Sequence, residues 1–245
     1  MSSTIKNAAL IVASGRGSRV GGDLPKQYQT IGDKPILWHT LKNFIDHRQI
    51  DAIIVVIHPS DVALYEDVIA KLDDAKILPH CFGGTQRQFS VTHGLKAISH
   101  LQPQNILIHD GARPFVAAKL VDDLLLACES YLGAIAAVRL TDTIKQVRNS
   151  ADETIEKTLD RQFLWSAQTP QAFDFNAIIK AHADISQMGE NKLFTDDAAI
   201  FEHFDIAVKL VEASQQNIKI TVAEDFEFAN LILANLKLAK QNGDI

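Results

Sequence analysis

Three loops in this chain collect the residue types that handle phosphate. The first carries Gly15, Arg16, Gly17, Ser18 and Arg19, and runs through Gly21 and Gly22 to Pro25 and Lys26, directly after an apolar run at 8–13. Glycines let backbone N–H groups approach a phosphate, and Arg16, Arg19 and Lys26 neutralise its charge. That set suits a triphosphate. Its spacing is not that of a Walker loop, and the GxGxxG form is incomplete because Val20 fills the last place. Taken alone, the loop reads equally as a tight strand-to-helix turn with solvated cations.

The second loop is His109-Asp110-Gly111-Ala112-Arg113-Pro114. An aspartate at a strand exit can hold Mg²⁺ that bridges nucleotide phosphates, and Arg113 can meet a phosphate oxygen. The plainer alternative is an Asp that caps the next element, with Gly111 easing the turn. In the third loop, Gly83-Gly84-Thr85-Gln86-Arg87 leads to Ser90. Its backbone amides could read a base edge, with Arg87 or Ser90 touching base or phosphate; by itself it reads first as a glycine turn that caps a helix.

Other chemistries find little support. The nine histidines form neither HExxH nor a Cys/His cluster, and no G-x-S-x-G elbow occurs. His39, His93 and His109 read as packed or surface residues rather than general bases. Trp38, Trp165 and the twelve phenylalanines are too dispersed for a strip that stacks single-stranded nucleic acid, and a formal charge of −6 offers no field for attracting one.

The elements that must position these loops alternate. Apolar runs at 8–13, 52–57, 76–78, 105–109 and 133–138 read as strands. Helical spacing falls between them at 36–46, 61–72, 90–101 and 118–131. Continuous apolar strands imply a sheet covered on both faces, hence a mostly parallel α/β fold with ligands beyond the carboxyl ends of its strands. From 141 to 161 the pattern changes to two short segments, 143–148 and 156–159, which read as a two-stranded excursion. A lone hairpin is marginal in water, so it must lean on its own domain or on another subunit. Helices are expected at 175–182 and 196–204, strands at 207–211 and 218–221, and a closing amphipathic helix at 223–240.

With 245 residues, 47% of them hydrophobic and 22% charged, the chain has ample material for one α/β core. No internal repeat or linker demands a second domain, so 1–245 is expected to be one unit. Two cysteines, Cys81 and Cys128, are too few for a disulfide framework or a four-ligand zinc site. Residues 1–9 lack the features of a secretory signal, and no stretch approaches the roughly 20 apolar residues needed to span a bilayer. A soluble cytoplasmic protein is expected, with no membrane or nucleic-acid partner.

Nine segments in order carry a resemblance that covers nearly the whole chain. They are ALIVASGRGSR at 9–19, LPKQY at 24–28, GGTQRQFSV at 83–91, HDGARPF at 109–115, LTDTIK at 140–145, DR at 160–161, TPQAF at 169–173, TDDAA at 195–199 and NIKIT at 217–221. With them the chain resembles the 2-C-methyl-D-erythritol 4-phosphate cytidylyltransferases of non-mevalonate isoprenoid synthesis. The resemblance implies a Rossmann-like nucleotidyltransferase fold with a protruding β-arm at 141–161. It implies transfer of a cytidylyl group from CTP to methylerythritol phosphate with release of pyrophosphate, a requirement for Mg²⁺, and a homodimer formed through the arm.

By the same resemblance Arg19, Lys26 and Lys219 serve transfer. Ala13, Ser14, Gly15, Gly17, Gly84, Arg87 and Ser90 surround the nucleotide, and Asp110 holds the metal. Arg113, Thr143, Arg161, Thr169 and Thr195 hold the acceptor, with Thr143 and Arg161 reaching across to the partner's site. Two departures are Ala13-Ser14, where many relatives have two alanines, and Gly111, where many have alanine; neither removes a charge. The nearest alternative is a cytidylyltransferase for another polyol phosphate such as ribitol phosphate. An alternative of another class is a non-catalytic nucleotide-binding regulatory dimer, against which Lys26, Asp110 and Lys219 argue.

Overall fold

A computed structural model describes residues 5–16, 24–148, 153–188 and 193–242. The chain opens with β1 (Asn7–Ala13), a small hairpin of β2 (Thr30–Ile31) and β3 (Lys34–Pro35), and α1 (Ile36–Ile45). It continues with β4 (Ala52–Ile57), α2 (Val62–Ile69), β5 (Cys81–Phe82), α3 (Arg87–Ile98) and β6 (Asn105–Asp110). Next come α4 (Ala118–Ala127), β7 (Gly133–Arg139), and β8 (Lys145–Val147) paired with β9 (Ile155–Thr158). The last elements are β10 (Trp165–Asp174), α5 (Phe175–Gln187), α6 (Ala198–His203), β11 (Val208–Glu212) and α7 (Asp225–Asn242).

Seven of these strands form one sheet in the order β11-β7-β10-β6-β1-β4-β5. Every pairing in it is parallel except those of β10, which runs antiparallel to β6 and β7. Successive residues of β1 and β4 bury on opposite faces, as the period of two requires. Ile11, Ile53 and Val55 pack under α1, α2 and α4 with Leu37, Phe44, Tyr65 and Leu124. Leu10, Ile54 and Val56 pack under α3 and α5 with Leu95, Phe175 and Ile178. Each such side chain contributes roughly 1.5–3 kcal/mol on burial, so the two apolar layers fix the sheet between its helices. The approach of α3 is close enough that a Cβ on Gly94 would lie 2.6 Å from Leu10 Cδ1. Only glycine lets that helix sit there, and its N-terminal loop is thereby pressed toward the tip of β1.

Two expectations need correction, and one strand was not expected. The edge strand lies at 81–82 rather than 76–78, where Ile77 makes only an isolated bridge to Ile53. No ladder forms at 218–221; the Ile220 N–H donates to the Ala112 carbonyl, in the loop after β6. The ten-residue β10 carries Pro170, which removes a ladder donor and argues against a strand in sequence. In the structure the register of β10 against β7 shifts between Ala167 and Gln171, and Pro170, after a cis peptide bond, falls in that irregularity. The predicted two-stranded excursion is present as β8 and β9, a sheet separate from the central one.

Candidate active site

The carboxyl ends of β1, β4 and β6 open into a cavity of about 390 Å³. Ala13, Ser14, Gly15, Arg16 and Lys26 line it from the first loop, Gly84, Arg87 and Ser90 from the third, and Asp110 and Lys219 complete it. Lys26 and Asp110 therefore face one space. A neighbouring cavity of about 260 Å³ is lined by Arg113, Thr169 and Thr195, and shares Arg87, Asp110 and Lys219 with the first. The three shared residues form the partition between the two spaces.

Asp110 ends β6 and is 8% exposed. Its Oδ2 lies 2.8 Å from Lys219 Nζ and 3.6 Å from Arg113 Nε, and its Oδ1 lies 3.6 Å from Arg87 Nε. Burial by itself would raise the carboxyl's pKa. Lys219, followed by Arg87 and Arg113, outweighs burial and holds it well below the usual carboxylate range. Asp110 is thus an ionised hard-oxygen donor at the mouth of both cavities. Among the described residues no group of three or more His, Cys, Asp or Glu could hold a metal. One carboxylate nevertheless fits Mg²⁺, which is commonly held by one or two carboxylates while substrate phosphates and water fill the other positions.

The 217–221 segment that delivers Lys219 is pinned from two sides. Arg113 Nη1 donates to the Asn217 carbonyl at 2.8 Å, and Asn217 Nδ2 donates to Gln168 Oε1 at 2.8 Å and to the Thr169 carbonyl at 2.9 Å. Asn217 was not singled out from sequence; its place within NIKIT was the available signal.

His109 is fully buried and joins three pieces of the site. Its Nε2 lies 3.0 Å from the Arg113 carbonyl, an acceptor only, so Nε2 carries the proton and donates. Nδ1 then accepts from the Thr169 hydroxyl at 3.0 Å, and that hydroxyl oxygen accepts the Asp110 N–H at 3.1 Å. Burial lowers the His109 pKa to about 4, which keeps the ring neutral near pH 7. His109 therefore braces the site rather than abstracting protons in it.

Ser90 has a similar part in the third loop. Its hydroxyl accepts from Ser14 Oγ at 3.0 Å and from the Gly84 N–H at 3.1 Å, and donates to the Gln86 carbonyl at 3.1 Å. These bonds draw the first and third loops together. A Cβ on Gly83 would lie 2.4 Å from Ser14 Cβ, so this closeness requires glycine. Arg87 is held by Asp197, with Nη1 2.8 Å from Oδ2. Asp197 is itself buried against His182 at 3.2 Å. Gln171 Oε1 accepts from the N–H groups of Asp197 and Ala198, which fixes the TDDAA turn against β10. Gln171 and Asp197 sat inside quoted motifs, yet only their contacts reveal what they do.

Two candidates are not brought to either cavity. Thr143 and Arg161 are exposed at the base of the β8–β9 hairpin, where Arg161 Nη1 donates to the Thr141 carbonyl. Gly17 and Arg19 lie outside the described residues. No helix among those described is long and apolar enough to cross a membrane.

A mostly parallel sheet with its cavities beyond the carboxyl ends of the strands is the α/β arrangement that binds nucleotides, and the solved structures it resembles are nucleotidyltransferases. Residues 7–235 match the family IspD, 2-C-methyl-D-erythritol 4-phosphate cytidylyltransferase, and the chain belongs to that family. A "Bifunctional enzyme IspD/IspF" of Rhodospirillum rubrum is 46% identical over 224 residues, covering 91% of this chain and 56% of its own length. The chain thus spans about half the length of several of the curated relatives it matches. A 2-C-methyl-D-erythritol 4-phosphate cytidylyltransferase of Geobacillus kaustophilus is 38% identical over 227 residues, covering 93% of this chain and 96% of that protein. A solved 4-diphosphocytidyl-2C-methyl-D-erythritol synthase from Anaerococcus prevotii, 31% identical, superposes with a TM-score of 0.81 and covers 94% of this chain and 97% of its own. The Francisella tularensis cytidylyltransferase structure is 33% identical with a TM-score of 0.77, covering 92% and 99%.

Proposed function

We propose that this chain transfers a cytidylyl group from CTP to 2-C-methyl-D-erythritol 4-phosphate and releases pyrophosphate. The observation that carries the reading is the partition of Arg87, Asp110 and Lys219 between two adjoining cavities. Nucleotide in the larger space and a phosphorylated acceptor in the smaller one would meet at those charges. A phosphate monoester is already largely ionised near neutral pH, so no general base is needed to make the nucleophile. The chemistry left to the protein is alignment of two anions and neutralisation of their repulsion.

In this reading Lys26, with Arg19, grips the triphosphate, and Lys219 accompanies the phosphate oxygen that attacks the α-phosphorus. Asp110 would hold Mg²⁺, which when bound supplies positive charge to the phosphates. Displacement of the Lys219 ammonium from Asp110 would leave that cation available to the acceptor's phosphate. The backbone around Gly84 and Ser90 would meet cytosine, and a purine would need more room there. Arg113, Thr169 and Thr195 would hold the acceptor.

Thr143 and Arg161 would enter the acceptor site of the partner subunit in a homodimer built on the 141–161 arm. Support for that assembly comes from apolar exposure on the arm and the turn after it: Val147 is 41%, Ile155 57% and Phe163 77% exposed. A free hairpin with that surface is a poor structure in water. Residues 1–245 would then work as one nucleotidyltransferase unit, in the cytoplasm.

Incubation of the protein with CTP, Mg²⁺ and methylerythritol phosphate, followed by mass identification of the product, tests the reading. The expected result is a cytidyl diphospho product and pyrophosphate, with little turnover of ribitol phosphate. Tight CTP binding without product from any acceptor would sink the catalytic reading.

A further inference from the structure

Arg16 stands in the glycine loop and lines the larger cavity, yet its guanidinium is engaged by protein groups. Its Nη1 lies 2.7 Å from Asp61 Oδ1 and 3.5 Å from His58 Nδ1. His58 Nδ1 accepts the Ser60 N–H at 3.1 Å, so it presents a lone pair, not a proton, to Arg16. The Asp61 side chain is 2% exposed, whereas that of Arg16 is 52% exposed. Asp61 Oδ2 is buried with no hydrogen-bond partner among the described residues, as are the hydroxyls of Tyr28 and Tyr65. Burial, and after it the Asp61 charge, pushes the Tyr28 hydroxyl pKa well above its ordinary value. Arg16 is thus the cation that compensates a buried carboxylate, and its departure would leave that charge uncompensated, a costly state.

The far end of the same loop is fastened independently. Gln27 Nε2 donates to the Ala13 carbonyl at 2.6 Å and to the Gly15 carbonyl at 3.1 Å, which ties the turn that bears Lys26 to the tip of β1. Gln27 and the Arg16–Asp61 pair therefore bracket the loop.

We infer that Asp61 is a positioning residue for the triphosphate loop: with His58 it anchors Arg16, and Arg16 sets the placement of residues 14–16 instead of binding phosphate. The part concerning CTP rests on the transfer reading above; the anchoring itself does not. If Arg16 were a phosphate ligand held in reserve, Asp61 would compete with the nucleotide for it. If Arg16 is an anchor, Asp61 assists the nucleotide. The two roles give opposite signs for one substitution.

The test combines calorimetric titration of CTP with Mg²⁺ and hydrogen–deuterium exchange at the amides of residues 14–16 without nucleotide. Wild type, Arg16→Gln, Asp61→Asn and the double variant are compared. Anchoring predicts that each single variant weakens CTP binding on the order of tenfold, the range of coupled contacting residues. The double variant should bind no more weakly than the worse single variant, KM for CTP should change more than kcat, and exchange at 14–16 should rise. The double variant carries neither charge, so it preserves the comparison if Arg16→Gln alone unfolds around an uncompensated carboxylate. Tighter or unchanged CTP binding by Asp61→Asn, beside weaker binding by Arg16→Gln, overturns the inference, as does unchanged exchange at 14–16 in the variants. If wild type fails to bind CTP, the transfer reading falls, and the exchange comparison alone decides the anchor.

Discussion

Lys219 Nζ lies 2.8 Å from Oδ2 of Asp110, in the partition shared by the two cavities. This contact joins a candidate metal carboxylate to a candidate acceptor cation before any ligand arrives. Lys219→Ala should lower kcat roughly 10²- to 10³-fold, the usual effect of removing one preorganised transition-state donor. It also removes the first of the cations that depress the Asp110 pKa, so the acid limb of the rate profile should move to higher pH. Pyrophosphate release across pH measures both effects; an unmoved acid limb would contradict the assigned coupling.

Lys26→Ala should show a loss of similar size, roughly 10²- to 10³-fold, because Lys26 faces the same cavity as Asp110. Near-normal turnover in that variant refutes its role.

His109 makes the stability of the fold depend on pH. Its folded pKa is about 4, below the ordinary histidine value near 6.5, so the unfolded chain binds the extra proton between those two values. Stability should therefore be complete above about pH 6.5 and fall as pH drops toward 4. Asp110, also depressed, adds its loss below the ordinary carboxylate range. His109→Gln, which can still donate toward the Arg113 carbonyl, should be less stable at pH 7 but lose less on going to pH 5. Thermal unfolding of both proteins at the two pH values checks this; equal slopes would rule it out.

Gly83→Ala should impair CTP binding by about tenfold or more, since its Cβ would meet Ser14 at 2.4 Å and Ser90 Oγ at 2.8 Å. The displacement would part the two loops that Ser90 draws together. Titration with CTP reads the loss, and unchanged affinity would contradict it.

The proposed reach of Arg161 into a partner's site has a sharp consequence. Asp110→Asn and Arg161→Ala should each be weakly active, yet a mixture exchanged through unfolding and refolding should regain activity. A mixed dimer holds both lesions in one site and leaves the other intact. Activity that merely averages the two parents would mean that Arg161 acts within its own chain or not at all.

The strands that sequence made legible are those with two buried faces, such as β1, β4 and β6, because continuous apolar runs advertise them. β10 was hidden because Gln168, Pro170 and Gln171 break the apolar pattern at the point where the strand serves the site. The cavity-lining residues Lys26, Asp110 and Lys219 were legible by type and motif. Their supports were not: Asn217, Gln171, Asp197 and Asp61 act through contacts with residues distant in sequence, and no local spacing encodes those. Arg16 was legible as a cation but not in its allegiance, which depends on a carboxylate 45 positions away.

β10 runs against its neighbours and leads from the foot of the hairpin, where Trp165 pairs with Arg139, to Thr169 beside Asp110. The hairpin and the smaller cavity are consequently joined by a single strand, whose register against β7 shifts between Ala167 and Gln171. Between the hairpin and the imidazole of His109 the chain offers one short covalent path, which ends at the Thr169 hydroxyl.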